Sequence, residues 1–106
     1  MQKIIYAPAA IDRLQELLEV LYEKEYFGFK DTAEDYVRDI FAFIATMPGQ
    51  KHKLTKNSRW GKWYCSYQRN RRTTWFICFD IDDNKTTYLV KNITNNHTAD
   101  YPKFIS

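Results

Sequence analysis

KWYCSYQRNRRTTWFICFDIDDNKTTYLVKNI, Lys62 to Ile93, carries the pattern that decides the fold. Trp63, Cys65 and Tyr67 alternate with Lys62, Tyr64, Ser66 and Gln68, the two-residue period of a strand. Arg69-Asn70-Arg71-Arg72 supplies a polar turn. Beyond it Trp75, Ile77, Phe79 and Ile81 share one face, and Thr74, Phe76, Cys78 and Asp80 share the other. Asp82-Asp83-Asn84-Lys85 has turn composition, and Thr86 to Ile93 is rich in β-branched residues. The stretch therefore predicts three consecutive strands joined by tight turns, an antiparallel meander.

Upstream the period changes. Ile11, Leu14, Leu17, Leu18, Leu21 and Tyr22 recur at helical spacing behind Pro8, with Asp12, Glu16, Glu19 and Glu23 on the far side. This predicts a helix to about Glu25, ending near Gly28. Asp31 or Thr32 can cap a second helix, with Glu34 or Asp35 returning the bond. Ala33, Tyr36, Val37, Ile40, Phe41, Ile44 and Met47 form its apolar stripe, and Pro48-Gly49 stops it. The two helices make a hairpin whose stripes need a shared partner. Lys3 to Ala7 reads as a short strand or as a lead-in to the first helix. Gln50 to Ser58 is polar, basic and without periodicity, and is expected to be a loop. The order is β-α-α-β-β-β: an α+β domain, a helix hairpin packed on one face of the meander. With 106 residues the chain fits one domain, 1–106, with a single modest core.

Charge is segregated along the chain. Residues 1–39 hold five Lys/Arg against nine Asp/Glu, whereas 40–79 hold eight against none. Lys51, Lys53, Lys56, Arg59, Lys62, Arg69, Arg71 and Arg72 are interleaved with Trp60, Trp63, Tyr64, Tyr67 and Trp75. Positive charge beside flat aromatic faces suits a phosphate-bearing chain whose bases can stack. The rival reading is a solvated basic surface over an aromatic core, and a core this small is expected to bury Trp75 and at least one other Trp.

Several classes are excluded. No apolar run approaches the ~20 residues a membrane span requires. Acid and base arrive by Asp12 and Arg13, which rules out a signal-peptide apolar region at the start. The chain is thus expected in the cytoplasm, with Cys65 and Cys78 as reduced thiols in strands. Asn84, Asn92 and Asn96 begin Asn-x-Thr triplets that read as strand and turn chemistry. Two lone Cys and two distant His match no metal-ligand spacing, so no metal or other cofactor is expected.

No Ser/His/Asp order and no phosphate-cradling glycine loop stands out. A reaction on a phosphodiester remains open, since it can run on fixed positive charge and one or two proton-transfer groups. His97 follows the third meander strand, where a cleft would expose it, and histidine is the residue type able to give or take a proton at physiological pH. Its alternative is a surface histidine or a structural hydrogen bond. His52, inside the basic loop, is the weaker candidate. Lys53, Lys56, Arg59 and Lys62 can each hold a phosphate. Tyr101 can stack or hydrogen-bond, or its tail can pack on the core.

The order of elements, and the segment Arg59 to Tyr101 above all, resembles the RelE/ParE superfamily of bacterial type II toxins. It is nearest to the ribosome-dependent ribonuclease branch, the HigB and RelE-like toxins. In that branch a strand ending "WxICF" precedes an acidic turn, another strand and a terminal histidine. Here these are Trp75 to Phe79, Asp80 to Asn84, Thr86 to Ile93, and His97. The resemblance implies a RelE-like fold and metal-independent cleavage of messenger RNA in the ribosomal A site by the ribose 2′-hydroxyl. It implies His97 as general acid or base and Lys56 and Arg59 as stabilisers of the phosphorane. Lys53, Lys62, Arg69, Arg71, Arg72 and Tyr101 would hold messenger or ribosomal RNA. A cognate antitoxin would be the protein partner. Relatives often carry Arg at the second position of "WxICF", which is Phe76 here, and acidic or aromatic residues where this chain has Asn95 and Asn96. Two alternatives come with the likeness: a ParE-like inhibitor of DNA gyrase without enzymatic activity, and an inactive nucleic-acid-binding domain.

Overall fold

The computed structural model describes residues 3–23, 33–56, 59–69, 71 and 73–97. In chain order the elements are β1 (Lys3–Tyr6), α1 (Pro8–Glu23), α2 (Ala33–Ala45), a 3-10 turn (Met47–Gly49), β2 (Lys53–Leu54), β3 (Trp63–Gln68), β4 (Thr74–Ile81) and β5 (Thr87–Asn95). The fold is α+β, as the periodicities predict.

The sheet corrects two expectations. It has five strands in the order β1-β5-β4-β3-β2, and it is mixed. β3, β4 and β5 form the antiparallel meander, but β1 pairs in parallel with β5, Lys3 to Tyr6 opposite Thr87 to Val90. The expected loop Gln50–Ser58 contains β2, an edge strand opposite Tyr64 and Trp63. Its side chains are exposed, so no alternation marks it in the sequence. Backbone pairing alone makes it a strand, and the pairing continues as Thr55 N–H donates to the Lys62 carbonyl at 2.9 Å.

The core lies between the helices and one face of the sheet. Ala10, Leu14, Leu17 and Leu21 of α1 and Tyr36, Ile40 and Ile44 of α2 meet Cys65, Trp75, Ile77, Phe79, Tyr88, Val90 and Ile93. These helix positions recur every three or four residues, so each helix presents one stripe. Phe43 stacks on Tyr67 with ring centroids 4.7 Å apart, and Tyr6 meets Phe41 edge-on at 5.4 Å. In β5 the two-residue alternation breaks. Cys78 faces Asn92 but Phe79 faces Val90, so Lys91 is the extra residue of a β-bulge. The slip lets Tyr88, Val90 and Ile93 all reach the same core.

β4 is buried on both faces, as befits the central strand. Tyr64, Phe76 and Cys78 form a small apolar cluster on the face away from the helices, with Trp60 packed against it. The centre of that face is apolar. Trp75 is fully buried, while Trp60 and Trp63 are half-buried. Gly61 makes this crossing possible. It has φ +126°, and a Cβ there would lie 2.6 Å from the Phe79 nitrogen.

Candidate functional site: two charged ends of one sheet

The basic residues separate onto opposite ends of the sheet. At the hairpin end, β3 turns into β4 and β5 terminates. Arg69 N–H donates to the Thr73 carbonyl at 3.0 Å and closes the turn. Asn96 N–H donates to the Thr74 carbonyl at 3.1 Å, and Thr74 N–H donates to Asn96 Oδ1 at 3.0 Å. This pair of bonds continues the β4–β5 ladder past Asn95 and brings His97 against the hairpin. His97 Nε2 lies 3.0 Å from the buried Thr73 Oγ1, and its backbone N–H donates to Asn95 Oδ1 at 3.0 Å. The half-buried imidazole is thereby anchored at a ring atom and at its backbone. A threonine hydroxyl both donates and accepts, so the Thr73 contact can serve either tautomer of the ring.

Arg69 belongs to the same end but is turned inward. Its guanidinium lies 3.0 Å from Asp39 Oδ2 and 4.7 Å from the centroid of the Tyr36 ring, with only 13% of the side chain exposed. The Tyr36 hydroxyl accepts from Trp75 Nε1–H at 3.1 Å. Arg69, expected to hold RNA, thus ties the hairpin to α2. Arg71 lies in the turn and is exposed. Arg72 and Tyr101, also expected to hold RNA, lie outside the described residues.

The opposite end carries Lys62, with Lys53 on the edge strand β2; both are exposed, as are Lys56 and Arg59. Lys62 N–H donates to Asp80 Oδ1 at 2.7 Å, and Asp80 Oδ2 lies 3.4 Å from Lys91 Nζ. The two acids that bound the acid-free stretch, Asp39 and Asp80, therefore each reach back into it. Thr74, level with His97, and Asp80, level with Lys62, are six residues apart on β4. At the usual strand rise this is about 20 Å. Lys62, level with Asp80, is therefore not brought together with His97. What the fold adds to His97 is Thr73 and Asn95. Neither carries a spacing signal in sequence, because the β4–β5 register alone creates the contact.

The opposite end has its own histidine. His52 packs edge-on against Trp63 at 4.8 Å and Phe79 at 5.6 Å between ring centroids. Its Nδ1 lies 3.3 Å from the Gln50 carbonyl. That oxygen only accepts, so Nδ1 is the protonated nitrogen of the neutral ring.

The cysteines are poor nucleophiles. Burial pushes the Cys65 thiol up to about 11 and the Cys78 thiol up to about 12. Among the described residues no three His, Cys, Asp or Glu side chains converge, and no helix is long and apolar enough to cross a membrane. Comparison with models of protein families, with curated proteins and with solved structures finds no match.

Proposed function

We propose that this chain is the toxin of a type II toxin–antitoxin pair, a RelE-like endoribonuclease that cuts messenger RNA on the ribosome and stops translation. One observation carries the reading. His97 stands at the end of β5, held by Thr73 and Asn95, beside a hairpin that offers Arg71. In this scheme the ribose 2′-hydroxyl attacks the adjacent phosphorus. The bond to the 5′-oxygen breaks, and that oxygen leaves as a hydroxyl. His97 moves one of the two protons. Arg71, an exposed guanidinium, stabilises the phosphorane. Lys53, Lys56, Arg59 and Lys62 hold the RNA backbone. An acidic or amphipathic segment of an antitoxin in the cytoplasm would neutralise the same basic surface.

The test is primer extension on ribosomes programmed with a defined message. Wild-type protein should give A-site cuts, and His97→Ala should reduce them by ~10²-fold or more, the usual weight of a proton-transfer group. Cuts that survive the substitution would reject His97 as the catalytic residue.

A second reading rests on the apolar cluster of Tyr64, Phe76 and Cys78. Phe76 occupies the position where the related nucleases often carry Arg, and a buried phenylalanine there offers no charge to a phosphate. A ParE-like inhibitor of gyrase would cut no RNA and would block DNA supercoiling at stoichiometric concentration.

A further inference from the structure

A cavity of about 420 Å³ opens at the end of the sheet opposite His97. Trp63 and Tyr88 form its aromatic walls and His52 its edge, while Lys62, Asp83 and Lys85 stand at its rim. Its size falls in the range of small-molecule sites, and its lining combines Trp63, Ile81 and Tyr88 with five ionisable side chains.

Its parts are fixed in place. His52 is wedged between Trp63 and Phe79 and held at Nδ1 by the Gln50 carbonyl, which leaves Nε2 as an acceptor. The rim turn is organised by Asp82. Its carboxylate accepts Thr86 N–H at 2.7 Å, Thr87 N–H at 2.9 Å and the Thr86 hydroxyl at 2.9 Å. With Asp82 so engaged, Asp83 is the carboxylate at the rim that the turn does not use. Lys85 has φ +58°, a left-handed conformation that Gly or Asn adopts with less strain, and a lysine is held there instead. Lys62 Nζ lies 5.7 Å from the centre of the Trp63 ring, so one ammonium already stands over the aromatic wall. Two ammonium groups, one carboxylate with open lone pairs, and flat aromatic walls define the chemistry of the occupant. It is planar and apolar in one part, anionic in another, and bears hydroxyl groups.

We propose that this cavity binds a ribonucleotide. The base lies against Trp63 and donates from an exocyclic amino group to His52 Nε2. The phosphate sits between Lys62 and Lys85. A ribose hydroxyl donates to Asp83. The site is separate from the His97 end, and it stands whether or not the chain cleaves RNA.

Titration with 5′-AMP, followed by the indole N–H resonance of Trp63 assigned through Trp63→Phe, tests this. A saturable shift is expected, weakened by at least about 10-fold in Lys62→Gln/Lys85→Gln and unchanged in Arg38→Gln, which removes an exposed charge on α2. Asp83→Asn should narrow the preference for AMP over dAMP. Both lysines are exposed, so an unchanged backbone spectrum of the double variant establishes that its fold is intact. No shift up to about 10 mM AMP overturns the proposal. So does binding that the lysine pair does not affect, or inorganic phosphate that competes as well as AMP. Tighter binding of the trinucleotide ApApA identifies the ligand as a unit of an RNA strand, whereas equal binding identifies a free nucleotide.

Discussion

At the scale of the residue, Gly61 shows how closely one position can bind sequence to fold. The chain must cross from the basic segment into β3 while passing directly over Phe79, and only a residue without Cβ passes at that distance with φ +126°. Gly61→Ala should lower the unfolding free energy by about 2 kcal/mol or more, read as a lower urea midpoint at unchanged slope. The glycine is plain in the sequence, but its reason is not, because Phe79 is eighteen residues away along the chain. His97 has the same character. Its place at a strand end was legible from the β-branched run before it. Its contact with Thr73 was not, because that depends on which strands are neighbours and in what register. The split between His97 and Lys62 follows from register too. Residues that share a charge pattern in sequence need not share an end of a sheet.

At the scale of the element, what the sequence revealed depended on length and burial. α1 and α2 were legible because buried apolar residues recur over three to four turns. β3, β4 and β5 were legible from alternation and from the turns between them. β2 has two exposed residues and no pattern to read. The bulge at Lys91 was hidden because one inserted residue looks like a continuing strand. β4 illustrates the energetic side. Cys78 faces the small outer cluster and Cys65 the main core, and both thiols are held protonated in the fold. In the unfolded chain a thiol ionises near pH 9, so above that pH the unfolded state releases a proton that the folded state keeps. Stability contributed by Cys78 is fully present below pH 9 and is lost as pH rises toward about 12. Cys78's share of the fall in stability between pH ~8 and ~10.5, read from urea midpoints, is about 2 kcal/mol, and the alkaline slope should flatten in Cys78→Ala.

At the scale of the whole molecule, the segregated charge makes an electrostatic prediction that does not require knowledge of the reaction. If Lys53, Lys56, Arg59 and Lys62 together contact phosphates of single-stranded RNA, the logarithm of the binding constant should fall with that of salt concentration with a slope of about −2.8. Lys53→Gln/Lys56→Gln should reduce the steepness by about 1.4, measured by fluorescence anisotropy from 50 to 300 mM salt. A slope that does not change would mean these lysines never meet the RNA backbone. The topology has a different consequence, one that concerns time. Among the described residues β1 precedes every other element, and its hydrogen-bonded neighbour β5 follows them all. Every other element is synthesised between the two. Helices can form as they emerge, but the first strand waits for Thr87 to Asn95 to leave the ribosomal exit tunnel before it can be paired. Such distant pairing slows folding, since the long loop must close before any contact rewards it. A nascent chain cut short before β5 would thus leave its first strand without a neighbour and its meander incomplete. The cell making this protein meets the finished sheet only once translation of that last strand is over.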